Sequence, residues 1–408
     1  MRNLVVGMVV GGVVGIVVGT TVVAPRLQLP VQTAAEIEAK PAVRPHLPEP
    51  AAQKKLEEMA ASSAGEKTQR VSGAPRPEPL PDPGAAKRWR MASAYPSTMA
   101  ELGGLGKRLE ETIYKVSGGR LEISFFEPGT LVATDAALEA VKSGAIEAVF
   151  ASPGLWAKEN PVLHLFSGIP FGPPIQEYLA WLHAAGGKIM AEGFGKLGVH
   201  AIVCGLLAPE GSGWFRKPVK SLDQLKSLNI GMTGLGGRVL KRLGATVTPL
   251  AEGDVFVALE RGMIDGAAAA QPSTDLELGL YRMARHYYFP GWHQPAGTLA
   301  LIVNKESWKA LDTARRAQVR AVCGDNVKHG LGESEASQFA ALKALAAKKV
   351  SIENWPPEIV NALKTAWIDE VTDMVSKDRA FAAAWRSLKR FREEYDIWRE
   401  IGFAPKAR

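Results

Sequence analysis

Apolar and polar positions divide the chain into three stretches with different periods. Residues 4–24 carry no charged side chain and are almost wholly Val, Gly, Ile, Leu and Met. As a helix, this run is long enough to cross a hydrocarbon layer of about 30 Å at about 1.5 Å per residue. A cleaved signal peptide usually has a shorter apolar core of about 7–15 residues. Val22 and Ala24 imitate a cleavage site, but Pro25 follows directly and disfavours it. The expectation is a retained single-pass anchor with Arg2 and the amino terminus inside. Gly7, Gly11, Gly15 and Gly19 recur every four residues within it. On a helix they form one face that lets another backbone approach, so contact with a second membrane helix is expected.

Periodicity is lost from Pro25 to Ala86, where eleven of the chain's 27 prolines fall. They exclude a continuous helix or a central strand. This stretch reads as an extended tether, with one short helix near residues 53–61.

From Trp89 onward the pattern is that of an α/β protein. RWRMASA reads as a strand, and Leu102, Leu105, Leu109, Ile113 and Val116 then recur at helical spacing up to Gly118-Gly119. LEISFF is a strand, Thr134 is a candidate cap for the helix DAALEAVKSG, and EAVFAS is a further strand. That order predicts a mostly parallel sheet with helices on both faces and ligands beyond the carboxyl ends of its strands. The order recurs in the second half: strands at WFRKPV, LNIGMT, ATVTPL and MIDGAAA alternate with helices near 222–225, 236–243 and 254–261, before the strand TLALIVN. Two such lobes with crossing segments predict a hinged binding protein that closes on a small molecule. After Asn304 the chain reads as helical almost to its end. Phe381, Trp385, Leu388, Phe391, Tyr395 and Trp398 form a stripe along the last helix.

Composition and charge narrow the function classes. The net charge of +7 is spread thinly, and no dense Lys/Arg block with interleaved aromatics appears, so nucleic-acid binding is not expected. No HExxH, GxSxG, CxxC or phosphate-loop pattern occurs, and the seven histidines are scattered, so neither an enzyme nor a metal centre is expected and no cofactor is called for. TGLGG (Thr233–Gly237) imitates the start of a dinucleotide fingerprint, but Val239 stands where its last glycine belongs. Cys204 and Cys323 both have apolar flanks. A disulfide is possible in an oxidising compartment, and two buried free thiols are the preferred expectation.

Several short segments, in order and spacing, resemble the solute receptors of TRAP transporters, the tripartite carriers of organic acids. They are GGRL (Gly118–Leu121), IPFG (Ile169–Gly172), GWFRK (Gly213–Lys217), GLGGRVLKRLGA (Gly234–Ala245), ALERGMIDG (Ala258–Gly266) and PGWH (Pro290–His293). The resemblance spans residues 88–401 and looks strongest to receptors for 2-oxo acids and lactate. It implies an α/β, two-lobed periplasmic binding protein-like fold with a hinge and a helical C-terminus, preceded here by the membrane helix. The implied segments are an anchor (1–24), a linker (25–86), lobe I (87–209 with 298–335), lobe II (210–297) and C-terminal helices (336–408). A periplasmic location, a small-molecule ligand, TRAP membrane subunits as partners and a homodimer built by exchange of a C-terminal helix are implied as well.

Against that family pattern the ligand site departs. The resemblance places an arginine where this chain has Gly231 and a Glu-Trp pair where it has Ala268 and Ala269. A glutamine that helps to hold a metal ion in a related branch falls near Glu210. Pocket aromatics are replaced at Gly154 and Leu155, before Trp156, and Met99 stands where Phe is common. A buried carboxylate needs a matched cation, which an arginine fork supplies. The candidate contacts that remain are Tyr95, Trp156, Glu210, Gln271 and His293, with Arg238 a rescue cation only if it points inward. Two readings stay open. One is a tethered receptor for a ligand other than an arginine-clamped acid. The other is a degenerate binding-protein fold kept as a structural or sensory subunit of an integral membrane complex, joined through the glycine-faced helix.

Overall fold

The computed structural model describes residues 86–250 and 252–403. The expectations for the membrane helix, its glycine face and the linker lie outside the described residues, among which no helix is long and apolar enough to cross a membrane.

Two sheets organise the rest. In the first, β1 (Lys87–Ser93) lies between β2 (Leu121–Phe126) and β3 (Ala148–Ala151) and is parallel to both. β10 (Gly297–Asn304) follows, antiparallel to β3 and to β4 (Val199–Leu207), giving the order β2-β1-β3-β10-β4. In the second sheet the order is β11-β9-β5-β8-β6-β7. Its strands are β5 (Gly213–Phe215), β6 (Asn229–Gly231), β7 (Thr246–Thr248), β8 (Gly266–Ala267), β9 (His286–Phe289) and β11 (Ser351–Asn354). β6, β7 and β8 run parallel, whereas β5 is antiparallel to β8 and β9. Each sheet is therefore mostly parallel, as expected, with one reversed strand: β10 in the first and β5 in the second. The antiparallel members are the strands through which the chain passes from one sheet to the other.

β10 shows what makes an apolar run a core strand. All eight of its residues are buried. Leu299, Leu301 and Val303 point to one side, where they meet Leu105, Leu109 and Phe150; Ala300 and Ile302 join a second cluster with Leu163, Phe166 and Trp181. A strand covered on both faces in this way reads as a continuous apolar run.

The 35-residue helix Thr313–Ala347 packs across β4. Asn326 locks it there by donating to the carbonyls of Leu105 (3.0 Å) and Cys204 (2.9 Å). That packing sets Cys323 opposite Cys204 with their α-carbons 4.2 Å apart, and the two are joined by a disulfide. The preferred expectation of two free thiols is thus corrected: apolar flanks marked both residues as buried but carried no information about which helix covers which strand.

Two further expectations change. The chain is not helical throughout after Asn304, because Ser351–Asn354 adds a parallel edge strand to β9. Glu353 in it accepts hydrogen bonds from the Tyr288 hydroxyl (2.9 Å) and His286 Nδ1 (2.5 Å). Thr134 caps no helix; it opens a short 3₁₀ turn before the Ala137–Ser143 helix, with no side-chain cap bond there.

Helices Pro357–Lys377 and Arg379–Gly402 form a hairpin that packs on the Gly234–Arg242 and Ile175–Trp181 helices. In the first, buried Glu370 binds Arg238 (2.5 Å) and Arg242 (2.7 Å) of the Gly234–Arg242 helix. In the second, Arg392 (2.9 Å) and Arg399 (3.4 Å) reach Glu177, which is buried in the Ile175–Trp181 helix. Phe381 and Leu388 of the aromatic stripe are fully buried against their own chain, while Trp398 stays exposed.

Candidate functional site: the cleft between the two sheets

A cavity of about 450 Å³ opens between the sheets. Ala94 and Tyr95 follow β1, Ser152, Gly154 and Leu155 follow β3, and His164, Ser167 and Thr134 complete that wall. The facing wall consists of Met232–Gly236 after β6, Pro249 and Leu250 after β7, and Ala268–Ala270 after β8. Almost every wall segment leaves the carboxyl end of a parallel strand, which is where α/β sheets place ligands.

The floor comes from the two crossing segments, 208–212 and 290–296. The Glu210 amide donates to the Gln294 carbonyl (3.2 Å) and the Ser212 amide to the Tyr288 carbonyl (2.8 Å). Glu210 turns its side chain into the cavity, where it accepts from His293 Nε2 at 3.1 Å and from Gln294 Nε2. It is the one acidic residue bordering the cavity among the described residues, and neither Arg nor Lys borders it. His164 is held neutral: burial, and secondarily the nearby Arg238 charge, push it down to about 4. Behind Ala270, burial pushes Asp275 up to about 8, although Trp214 Nε1 (2.7 Å), the Tyr287 hydroxyl (2.8 Å) and the Ala270 amide (3.0 Å) all donate to it. That knot fixes the end of β8, under the stacked rings of Trp214 and Tyr287.

Of the residues singled out from the sequence, Tyr95, Gly154, Leu155, Glu210, Ala268, Ala269 and His293 border the cavity. Met99 does not; it is buried with Leu102 and Leu105 behind the first wall. Trp156 is 2% exposed and packs edge-on against Phe194, so it is core rather than wall. Gln271 is fully buried and donates to the Ala208 carbonyl at 3.1 Å. A side chain at Gly231 would start 3.0 Å from Ile264, 3.1 Å from Ala267 and 3.3 Å from Leu250, in the packing around the second sheet. Arg238 is no rescue cation, since Glu370 draws its guanidinium toward the C-terminal hairpin.

Sequence reasoning missed Thr134, Ser152, His164, Ser167, Thr233 and Gly236 as wall residues and Gln294 on the floor. Thr233 and Gly236 were within reach, because they directly follow a strand in the order that predicted rim loops. His164 sits in an apolar 3₁₀ segment, PVLHLF, that carries no rim signal.

Comparison with known proteins agrees with this geometry. The family described as bacterial extracellular solute-binding protein, family 7 (DctP), matches residues 91–378. A monocarboxylate 2-oxoacid-binding periplasmic protein of Nostoc sp. is 30% identical over 315 residues, 77% of this chain and 86% of its own. A TRAP transporter solute binding protein from Bordetella bronchiseptica, solved with calcium and picolinate, superposes with a TM-score of 0.75 at 30% identity, over 77% of this chain and 94% of that one. One from Pseudoalteromonas atlantica, solved with sodium and pyruvate, gives 0.73 at 26% identity, over 77% and 96%. Two sheets, a cleft at their strand ends and a match across most of the described chain lead to one placement: this chain belongs to family 7 of the bacterial extracellular solute-binding proteins, the non-enzymatic receptors of TRAP transporters.

Proposed function

We propose that this receptor is held at the membrane by residues 4–24, reaches its TRAP membrane subunits across the 25–86 tether, and binds a small molecule other than an arginine-clamped carboxylate. The observation that carries the reading is the absence of Arg and Lys from the cavity border among the described residues. An isolated carboxylate in such a cleft would lose its hydration and gain no matched cation, a cost of several kcal/mol per ion. The 2-oxoacid of the Nostoc relative and the pyruvate of the Pseudoalteromonas protein therefore do not carry over. The open cavity, with its polar floor on the two crossing segments, supports a working receptor over a structural subunit.

Titration calorimetry of the detergent-solubilised full chain tests this. Pyruvate and lactate are expected to bind more weakly than about 1 mM, a binding free energy of about −4 kcal/mol. Dissociation constants near 1 µM, about −8 kcal/mol, would refute the ligand part of the proposal. Recovery of the protein from cells in the soluble fraction, cleaved of residues 1–24, would refute the tether.

A further inference from the structure

The cleft holds hydrogen-bonding groups of both signs whose partners are missing from the protein, and they stand side by side. The acceptors are on the floor. A carboxylate has no proton to give, so His293 Nε2 must donate to Glu210. The other ring nitrogen, Nδ1, has no hydrogen-bond partner although His293 is only 8% exposed. Each Glu210 oxygen, with one donor apiece, keeps room for another.

The donors are on the adjoining wall. The Gly234–Arg242 helix starts at the cavity, and Thr233, Gly234, Leu235 and Gly236 border it. First-turn amides have no acceptor within their own helix, and the N-cap Thr233 side chain supplies none. Gly236 lets the turn sit against the floor: a Cβ there would lie 2.8 Å from the His293 Cβ. His293 thus touches the helix start on one side and Glu210 on the other, so the two poles lie about one imidazole ring apart.

The geometry points to a small zwitterion of the α-amino acid class as the ligand. Its ammonium group sits against the Glu210 carboxylate, and its carboxylate sits on the amides of Gly234–Gly236, where the helix dipole favours an anion. This rests on the receptor reading above and adds the ligand class to it. A zwitterion brings both charges with it, which is how a cleft without arginine still accommodates an acid group.

The test uses three nearly isosteric probes on the full-length protein: phenylalanine carries both charges, phenylalaninamide only the cation, and phenylpyruvate only the anion. A thermal-shift survey of the proteinogenic amino acids precedes it, and the same comparison is made for the strongest binder. The amino acid is expected to bind at least tenfold more tightly than its amide and than its oxo acid. Glu210→Gln, which keeps the shape and one acceptor, is expected to cost tenfold to a hundredfold in amino acid affinity and to leave the oxo acid unchanged or slightly improved. Its melting temperature, measured without ligand, controls for folding.

An amide that binds as well as the amino acid removes the helix start from the site and overturns the inference. So does the absence of binding by every amino acid, or preference for an uncharged polyol; the latter would leave the receptor reading standing. Tight binding of the oxo acid alone overturns both.

Discussion

Gly291 and Glu210 press together where the two crossing segments meet: a Cβ on Gly291 would fall 1.9 Å from the Glu210 carbonyl oxygen. The obstructing atom is backbone, so no rotamer change can relieve the contact. Glycine at this point holds the floor of the cleft together and fixes where the Glu210 side chain emerges.

Gly291→Ala is accordingly expected to force the crossing segments apart. Overpacking typically costs about 1–3 kcal/mol and more where backbone must move. A fall of several degrees in melting temperature, with weakened binding of whatever ligand the wild type takes, is the expected result. An unchanged melting curve would show that the segments do not touch as described.

The Cys204–Cys323 disulfide closes a loop across 119 positions. Removing a link of this kind costs about 2–5 kcal/mol. Reduced protein, or the Cys204→Ala/Cys323→Ala double variant, is expected to unfold at lower denaturant than the oxidised wild type. Coincident transitions would mean the thiols are not joined.

Acid sensitivity follows from two histidines held neutral by burial, His164 and His200, each pushed down to about 4. His200 stacks on Trp308, with Arg320 and Arg316 adding to the effect of burial. The unfolded chain takes up these protons near pH 6.5, before the folded one does. Their contribution to stability is therefore complete above about pH 6.5 and is lost as pH falls toward 4. For His164 the loss is on the order of 1–3 kcal/mol; His200, being more exposed, contributes less. Urea midpoints measured from pH 7 to pH 4 are expected to decline less steeply in His164→Gln than in wild type, and parallel slopes would contradict this.

How much of this was legible in the residues depends on the range of the interactions concerned. TLALIVN announced β10 because both of its faces meet apolar clusters and the run is nearly continuous, and the two sheets followed from the order of such strands. Glu210 and His293 were recognisable through the family resemblance, which aligned Glu210 with a ligand-holding glutamine and carried His293 in the PGWH signature. SIEN did not announce β11: its side chains are mostly exposed, and it is a strand only because β9 lies beside it. The cysteine pairing, the inward aim of position 231 and the capture of Arg238 by Glu370 were hidden for the same reason. Each depends on an element more than thirty residues away in sequence.

A crystal structure of the protein grown with excess pyruvate tests most directly the claim that the cleft offers a bare organic acid no matched cation. The account predicts no pyruvate at the cavity border, with Arg238 still bound to Glu370. Pyruvate ordered between the lobes, its carboxylate paired with a guanidinium, would contradict it.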